Sequence, residues 1–227
     1  MKPLLTIAIC CLAAHAESRS IPVAQQAAEG LLDPAAAAWK AVPAASLSLQ
    51  RTPLLFPTDE PASLEIPRVE LRLVRGSGKT LVRLEWADPS KESTTFAKAE
   101  RPWQAEHLVK QSGATDRFSD ACAVMIPSGP IGEVFPSLQM GDAAHPVKIF
   151  FWDSSRGASI MEAHGRETTK RTGKSFQAQA SWAAGKWSAV LELPELQTGT
   201  PLAVAIWNGK QKDRDGRKYF SIWYKTQ

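Results

Sequence analysis

The sequence predicts an all-β fold: an antiparallel β-sandwich of immunoglobulin-like or jelly-roll-like type, with an irregular N-terminal arm and a few short helices. Three observations carry this expectation. From residue 68 onward, apolar and polar residues alternate with a period of two, as in Val69, Leu71 and Leu73 against Glu70 and Arg72. Turn residues punctuate these runs, as in Gly76-Ser77-Gly78, Gly185-Lys186 and Asp213-Arg-Asp-Gly216. No helical-period segment lies between the runs to act as a crossover, so neighbouring strands are expected to pair antiparallel.

Taken in order, residues 1–16 read as a secretory signal peptide. Lys2 supplies a positive start, Leu4 to Ala14 an apolar stretch too short to span a bilayer, and Ala14-His15-Ala16 a small-x-small cleavage form. Cleavage there would leave about 210 residues, the size of one large β domain. Residues 17–64 form the expected arm. Its first part, 17–32, is rich in Ala and Gln and reads as loosely ordered. Asp33-Pro34 before four alanines and Trp39 reads as a short helix, with Asp33 as N-cap and Pro34 at the first helical position. Prolines at 43, 53, 57, 61 and 67 imply an extended, irregular passage.

The expected β-sandwich domain, residues 65–227, begins with a hairpin in which Val82, Leu84 and Trp86 answer Val69, Leu71 and Leu73. Residues 89–116 are polar, with a loop or short helix around Pro102–Lys110. Strands resume at Phe118–Ile126, Val147–Trp152, Phe176–Trp182, Trp187–Leu193, Leu202–Trp207 and Lys218–Trp223. Leu202–Trp207 is apolar on both faces and is expected to be central.

Composition removes several classes of function. Loss of residues 1–16 would take Cys10 and Cys11 with it, leaving Cys122 without a partner for an intrachain disulfide. Cysteine clusters for zinc or iron–sulfur and a Cys-x-x-Cys-His haem attachment site are absent from the sequence. Cys122 sits in an apolar run and reads as an inert buried thiol. A net charge of +4 with scattered basic residues gives no nucleic-acid footprint. No membrane span is expected after signal cleavage. His107, His145 and His164 are far apart, and no Gly-x-Ser-x-Gly or His-Glu-x-x-His pattern occurs.

Two residues stand out as candidate ligands. Met140 precedes Gly141-Asp142 in a loop that opens into Val147-Lys-Ile-Phe-Phe-Trp152. A methionine at a strand mouth either packs or turns its thioether into a cavity. Met125 and Met161 offer no such setting. Lys218 opens the last strand and shares its expected face with Phe220, Ile222 and Tyr224. A lysine on an apolar face either snorkels to water or is neutralised. Lys210, Lys212 and His145 are alternatives to Lys218, and Asp142 with His145 could hold a metal across one loop.

The chain resembles the haem b-binding γ subunits of the type II dimethyl-sulfoxide-reductase family of molybdoenzymes, the group of ethylbenzene dehydrogenase, chlorate reductase, selenate reductase and dimethyl-sulfide dehydrogenase. The resemblance rests on Leu32-Asp-Pro34 with Trp39 and Pro43, Leu84-Glu-Trp-Ala-Asp-Pro89, Phe118-Ser-Asp-Ala121 with Ile126-Pro127, Met140-Gly-Asp142 with Pro146-Val147 and Trp152, and Val204-Ala-Ile-Trp-Asn-Gly209 with Asp213-Arg-Asp-Gly-Arg-Lys218. These stretches run in order over nearly the whole mature chain. The resemblance implies a periplasmic electron-transfer subunit that is not itself catalytic. It implies one non-covalent haem b, with Met140 and Lys218 as axial ligands. It implies a heterotrimer with a molybdopterin catalytic α subunit and an iron–sulfur β subunit, and exchange with a soluble periplasmic c-type cytochrome. The rival reading of the residues is a secreted carbohydrate-binding sandwich that stacks sugars on Trp152, Trp207 and Trp223, three of its eight tryptophans.

Overall fold

A computed structural model describes residues 19–52, 65–93, 118–130, 132 and 134–227. The expected signal peptide, the segment Pro102–Lys110 and His107 lie outside the described residues. The strands are β1 (Ser20–Ile21), β2 (Val23–Gln25), β3 (Ala45–Ser48), β4 (Gln50–Arg51), β5 (Arg68–Gly76), β6 (Lys79–Ala87), β7 (Ala121–Pro127), β8 (Val147–Asp153), β9 (Gly157–Ala163), β10 (Lys170–Arg171), β11 (Ala178–Ala183), β12 (Lys186–Pro194), β13 (Pro201–Trp207), β14 (Tyr219–Phe220) and β15 (Tyr224–Thr226). They form two sheets. One runs β1-β15-β13-β7-β8-β9-β10, with β14 joining β13 to β4; the other runs β11-β12-β6-β5-β2, with β3 also on β5.

Alternation within the strands builds the space between the sheets. Val69, Leu71 and Leu73 of β5, Val82, Leu84 and Trp86 of β6, and Ala189, Leu191 and Leu193 of β12 point to one core. Cys122, Val124 and Ile126 of β7, Phe150 and Trp152 of β8, and Leu202, Val204 and Ile206 of β13 meet them from the other sheet. Leu71 pairs with Leu84, Leu73 with Val82, and Val204 with Val124, so like faces are in register. β13 lies between β7 and β15, as its two apolar faces predict.

The sandwich departs from a purely antiparallel one at its first residues. β1 runs parallel to β15, and β2 runs parallel to β5. The chain therefore leaves one sheet at Ile21 and enters the other at Val23, with Ile21 fully buried as the anchor. Residues read as loosely ordered thus serve both sheets. Strands of two and three residues are too short to show a period, so alternation could not reveal them.

Further along the arm, Leu31, Trp39 and Val42 cover the outer side of the smaller sheet at Val74, Leu81 and Val190. The expected helix is a 3₁₀ turn at Ala37–Ala41, and Asp33 does not cap it. The Asp33 carboxylate instead accepts from the Ala35 N–H at 2.9 Å, closing a local turn. Trp39 donates its indole N–H to the Leu31 carbonyl at 3.0 Å.

Two further elements differ from expectation. β9 was not visible in the sequence, because Gly157-Ala-Ser-Ile-Met-Glu-Ala163 is weakly apolar, yet it pairs with β8 along its whole length. The expected strand Lys218–Trp223 is broken. β13 pairs Ala205 with Phe220 and Ile206 with Tyr219, but Pro201 with Lys225 and Leu202 with Tyr224. The register slips by one residue between the two ladders, as in a β-bulge. Ser221 fills the gap: its N–H donates to the Val204 carbonyl, and its hydroxyl accepts from the Val204 N–H, each at 2.9 Å. A slip of one residue exchanges the faces beyond it. Ile222 and Tyr224 consequently face the inter-sheet core, while Lys218 and Phe220 stay on the outer face.

Candidate functional site

The outer face of the larger sheet carries its own apolar cluster. Ala121 and Ala123 of β7, Val147 and Ile149 of β8, Ala163 of β9 and Ala203 and Trp207 of β13 belong to it. Small residues dominate its centre. Ala205 pairs with Ala123, Ala203 with Met125 and Trp207 with Ala121. The result is a shallow shelf of methyl groups bordered by larger side chains. A small pocket, partly open to solvent, lies on this shelf. Met125, Leu138, Met140, Ile149, Trp207 and Phe220 line it, and Lys218 reaches into it.

Met140 enters from the loop between β7 and β8. Its backbone has φ of 72°, and the following Gly141 has φ of 75°. Left-handed backbone is uncommon for methionine, whereas it suits glycine. The loop holds Met140 there by several bonds. Gly141 N–H donates to the Ser137 carbonyl at 2.8 Å, and the Met140 carbonyl accepts from Gly165 N–H at 2.9 Å. A Cβ at Gly141 would lie 2.7 Å from the His145 carbonyl oxygen, so the turn leaves no room for a side chain. Trp223 donates its indole N–H to the Pro136 carbonyl at 2.8 Å, pinning the base of the loop to the sheet.

Asp142 and His145 organise this turn rather than a metal. The Asp142 carboxylate accepts from the N–H groups of Ala144 and His145 at 3.0 and 2.9 Å, and it lies 2.9 Å from His145 Nδ1. His145 is not among the residues lining the cavity. Among the described residues, no group of three or more His, Cys, Asp or Glu side chains is placed to hold a metal ion.

Lys218 arrives from the opposite side. Its carbonyl accepts from Thr52 N–H at 2.9 Å and from Thr52 Oγ1 at 3.0 Å. The side chain crosses the Trp207 ring, with Nζ 5.3 Å from the centroid. Nζ then meets Met140 Sδ at 3.5 Å, within reach of a weak N–H···S contact. Burial pushes the Lys218 pKa down to about 8, and Arg166 adds to the fall while Asp215 opposes it. Lys210 and Lys212, by contrast, are exposed on the 3₁₀ turn Gly209–Gln211 and its cap. The tertiary structure thus sets Lys218 apart from its two neighbours in sequence.

A thioether and a lysine amine of lowered pKa therefore converge beside an apolar shelf. Cys122 faces the other way, into the inter-sheet core, and is fully buried. Its thiol cannot reach anything on the shelf. The sugar-stacking arrangement also fails on geometry. Trp152 points into the inter-sheet core, where its ring meets Trp187 edge-on at 5.3 Å. Trp207 and Trp223 lie on the opposite face, and none of the three is more than 8% exposed. The shelf alanines were not singled out in the sequence. The signal was there in Ala121-x-Ala123 and Ala203-x-Ala205, small residues spaced by two on strands whose other face is large.

The chain resembles redox-enzyme γ and heme subunits over most of its length. It is 26% identical over 250 residues to the chlorate reductase subunit gamma of Ideonella dechloratans, covering 99% of this chain and 94% of the relative. It is 25% identical over 215 residues to the dimethylsulfide dehydrogenase subunit gamma of Rhodovulum sulfidophilum, covering 84% and 72%. It is also 27% identical over 221 residues to a Haloferax mediterranei protein named, provisionally, as a respiratory nitrate reductase heme subunit, covering 91% and 72%. No family model matches the chain. These relatives bear out the resemblance read from the motifs.

Proposed function

We propose that this protein is an electron-transfer subunit that holds one non-covalent haem b on the alanine shelf, with Met140 and Lys218 as its axial ligands. The observation that carries the reading is the approach of Lys218 Nζ to Met140 Sδ, 3.5 Å, above a floor of methyl groups. A haem bound there supplies one-electron exchange between ferrous and ferric iron. The residues fit that group. The methyl floor suits an apolar ring, and Cys122, turned into the inter-sheet core, is out of reach for a covalent link. Met140 offers a thioether, a soft ligand that favours the ferrous state and raises the reduction potential.

Lys218 must be neutral to offer its lone pair. With a pKa of about 8, the remaining cost of removing its proton at pH 7 is ~1.4 kcal/mol, far below that of an exposed lysine. Burial on the shelf thus prepares the amine. Were Met140 and Lys218 both to hold the iron, no position would be left open for substrate, which favours electron relay over catalysis.

The names of the relatives, gamma and heme subunits, support a multi-subunit assembly. The subunit is read as the γ member of a heterotrimer with a molybdopterin catalytic α subunit and an iron–sulfur β subunit, and as a donor or acceptor for a soluble periplasmic c-type cytochrome. The signal-like residues 1–16 support a periplasmic location. Among the described residues, no helix is long and apolar enough to cross a membrane.

The decisive experiment is the absorption spectrum of the purified protein. A Soret band with low-spin features that vanish in a Met140→Ala, Lys218→Ala double variant is expected. A colourless protein that takes up no added haemin overturns the proposal. Affinity purification from the native host checks the assembly: recovery without molybdenum and iron–sulfur neighbours argues against the heterotrimer.

A further inference from the structure

Resting on the reading of Lys218 as an iron ligand, we propose that Arg51 and Thr52 of the N-terminal arm are positioning residues for the Lys218 amine. Lys218 stands immediately before β14, a strand of only two residues. So short an element cannot by itself aim a long, flexible side chain. β14 is held instead between β13 and β4, with Tyr219 opposite Arg51 and Phe220 opposite Gln50. The ladder then continues one step beyond β4, where both donors of Thr52 close on the Lys218 carbonyl.

Arg51 locks this arrangement from behind. Its guanidinium lies 4.4 Å from the centroid of the Tyr219 ring. It forms a two-pronged bond to Asp213, Nη1 to Oδ2 and Nη2 to Oδ1, both at 2.6 Å. The Asp213 side chain is fully buried and that of Arg51 is 11% exposed. Asp213 also accepts from Asn208 N–H at 3.1 Å and lies 3.3 Å from Arg217 Nε. Asn208 directly follows Trp207, the ring beneath the lysine. One carboxylate therefore joins the arm, the end of β13 and the turn leading to Lys218.

Burying such a pair brings a desolvation cost, so stability alone is a poor reason for it; fixing one geometry is the better-supported use. The parallel fork also needs a guanidinium, since an ammonium has no matching pair of donors. A ligand amine must be held to within about 0.5 Å of its working position by the shell around it. The arm supplies that shell to a residue more than a hundred positions away.

The test compares the full-length haem-loaded protein with Arg51→Lys, Arg51→Gln, Thr52→Val and Lys218→Ala, at temperatures below the melting point of each. Absorption and electron paramagnetic resonance spectra report the high-spin share. Asp215 and Arg166, the charged groups that influence the amine, are unchanged in all four. Arg51→Gln and Thr52→Val are expected to raise the high-spin share several-fold, with Arg51→Lys intermediate. A residue that is merely structural lowers the melting temperature and leaves the spectrum of the folded protein unchanged. If Lys218→Ala becomes high-spin while Arg51→Lys and Thr52→Val keep the native spectrum, the positioning role is overturned and the ligand reading stands. If Lys218→Ala itself keeps the native spectrum, the ligand reading falls and the positioning role falls with it. Should Arg51→Gln fail to fold, Thr52→Val and Arg51→Lys decide the matter.

Discussion

Ala205 of β13 stands directly opposite Ala123 of β7, and together they form the flattest part of the outer sheet face. Ala203 and Ala121 extend the low floor along the two strands, and Met125, Ile149, Phe151 and Trp207 border it. The pair keeps the face low where a typical strand pair would raise branched side chains.

Filling the shelf should therefore abolish haem uptake at little cost to the fold. Ala205→Leu places a branched side chain in the cavity and covers the space between Met140 and Lys218. The expected outcome is loss of the Soret band, with a stability change within about 1 kcal/mol, because Ala205 is half-buried beside a pocket open to solvent. Haemin titration and thermal melting of the haem-free protein check both halves.

With Met140 as the proposed soft ligand, Met140→Ala should lower the reduction potential or empty the site. Met140→His should retain haem at a lower potential, since imidazole favours the ferric state more than a thioether does. Potentiometric titration reads the difference. An unchanged potential in both variants rules out Met140 as a ligand.

The turn behind Met140 gives a separate expectation. Gly141→Ala meets the His145 carbonyl and a left-handed backbone at once. A loss of about 1–3 kcal/mol in stability is expected from urea unfolding. The same change at Gly199, which is left-handed but has open space around it, should cost less, and that contrast isolates the clash.

Lys218 leaves a pH signature in the haem-free protein. Its folded pKa, about 8, lies below the ordinary value of 10.5, so the unfolded chain binds more protons between those values. Stability from this group therefore rises as pH climbs from about 8 to 10.5, and its penalty is fully present below 8. Lys218→Met should stabilise the fold at pH 7 by roughly 1–3 kcal/mol, and the gain should shrink above pH 10. Lys210→Met and Lys212→Met, at exposed positions, should show no such dependence in melting curves.

Asp88 predicts the opposite slope. It is fully buried, its Oδ2 has no hydrogen-bond partner, and burial with the nearby Asp120, Glu65 and Glu92 charges raises its pKa to about 7, against the Ser90 N–H. The folded state then binds more protons than the unfolded one between pH 4 and 7, so stability falls as pH rises through that window. Asp88→Asn should leave stability near pH 4 almost unchanged and raise it by a few kcal/mol at pH 8. Equal effects at both pH values would mean that Asp88 is ionised throughout.

By itself, the sequence determined the all-β class, the β5–β6 hairpin and the central place of β13. Each was legible because it rests on local rules of alternation and turn residues, whereas Met140 and Lys218 were candidates that local rules left open between packing and ligation and that the family resemblance singled out. Only the tertiary structure decided which face each residue serves. The one-residue slip at Ser221 sends Ile222 and Tyr224 into the core, though alternation had placed them beside Lys218. The β8–β7–β13 register puts Trp152 and Trp207 on opposite faces, and the β4–β14 ladder brings Arg51 and Thr52 of the arm to the lysine. Met140 and Lys218 lie far apart in the chain, and their approach depends on strand order and register. Those are set by long-range pairing, in which a single bulge reverses the outcome of every local periodicity beyond it.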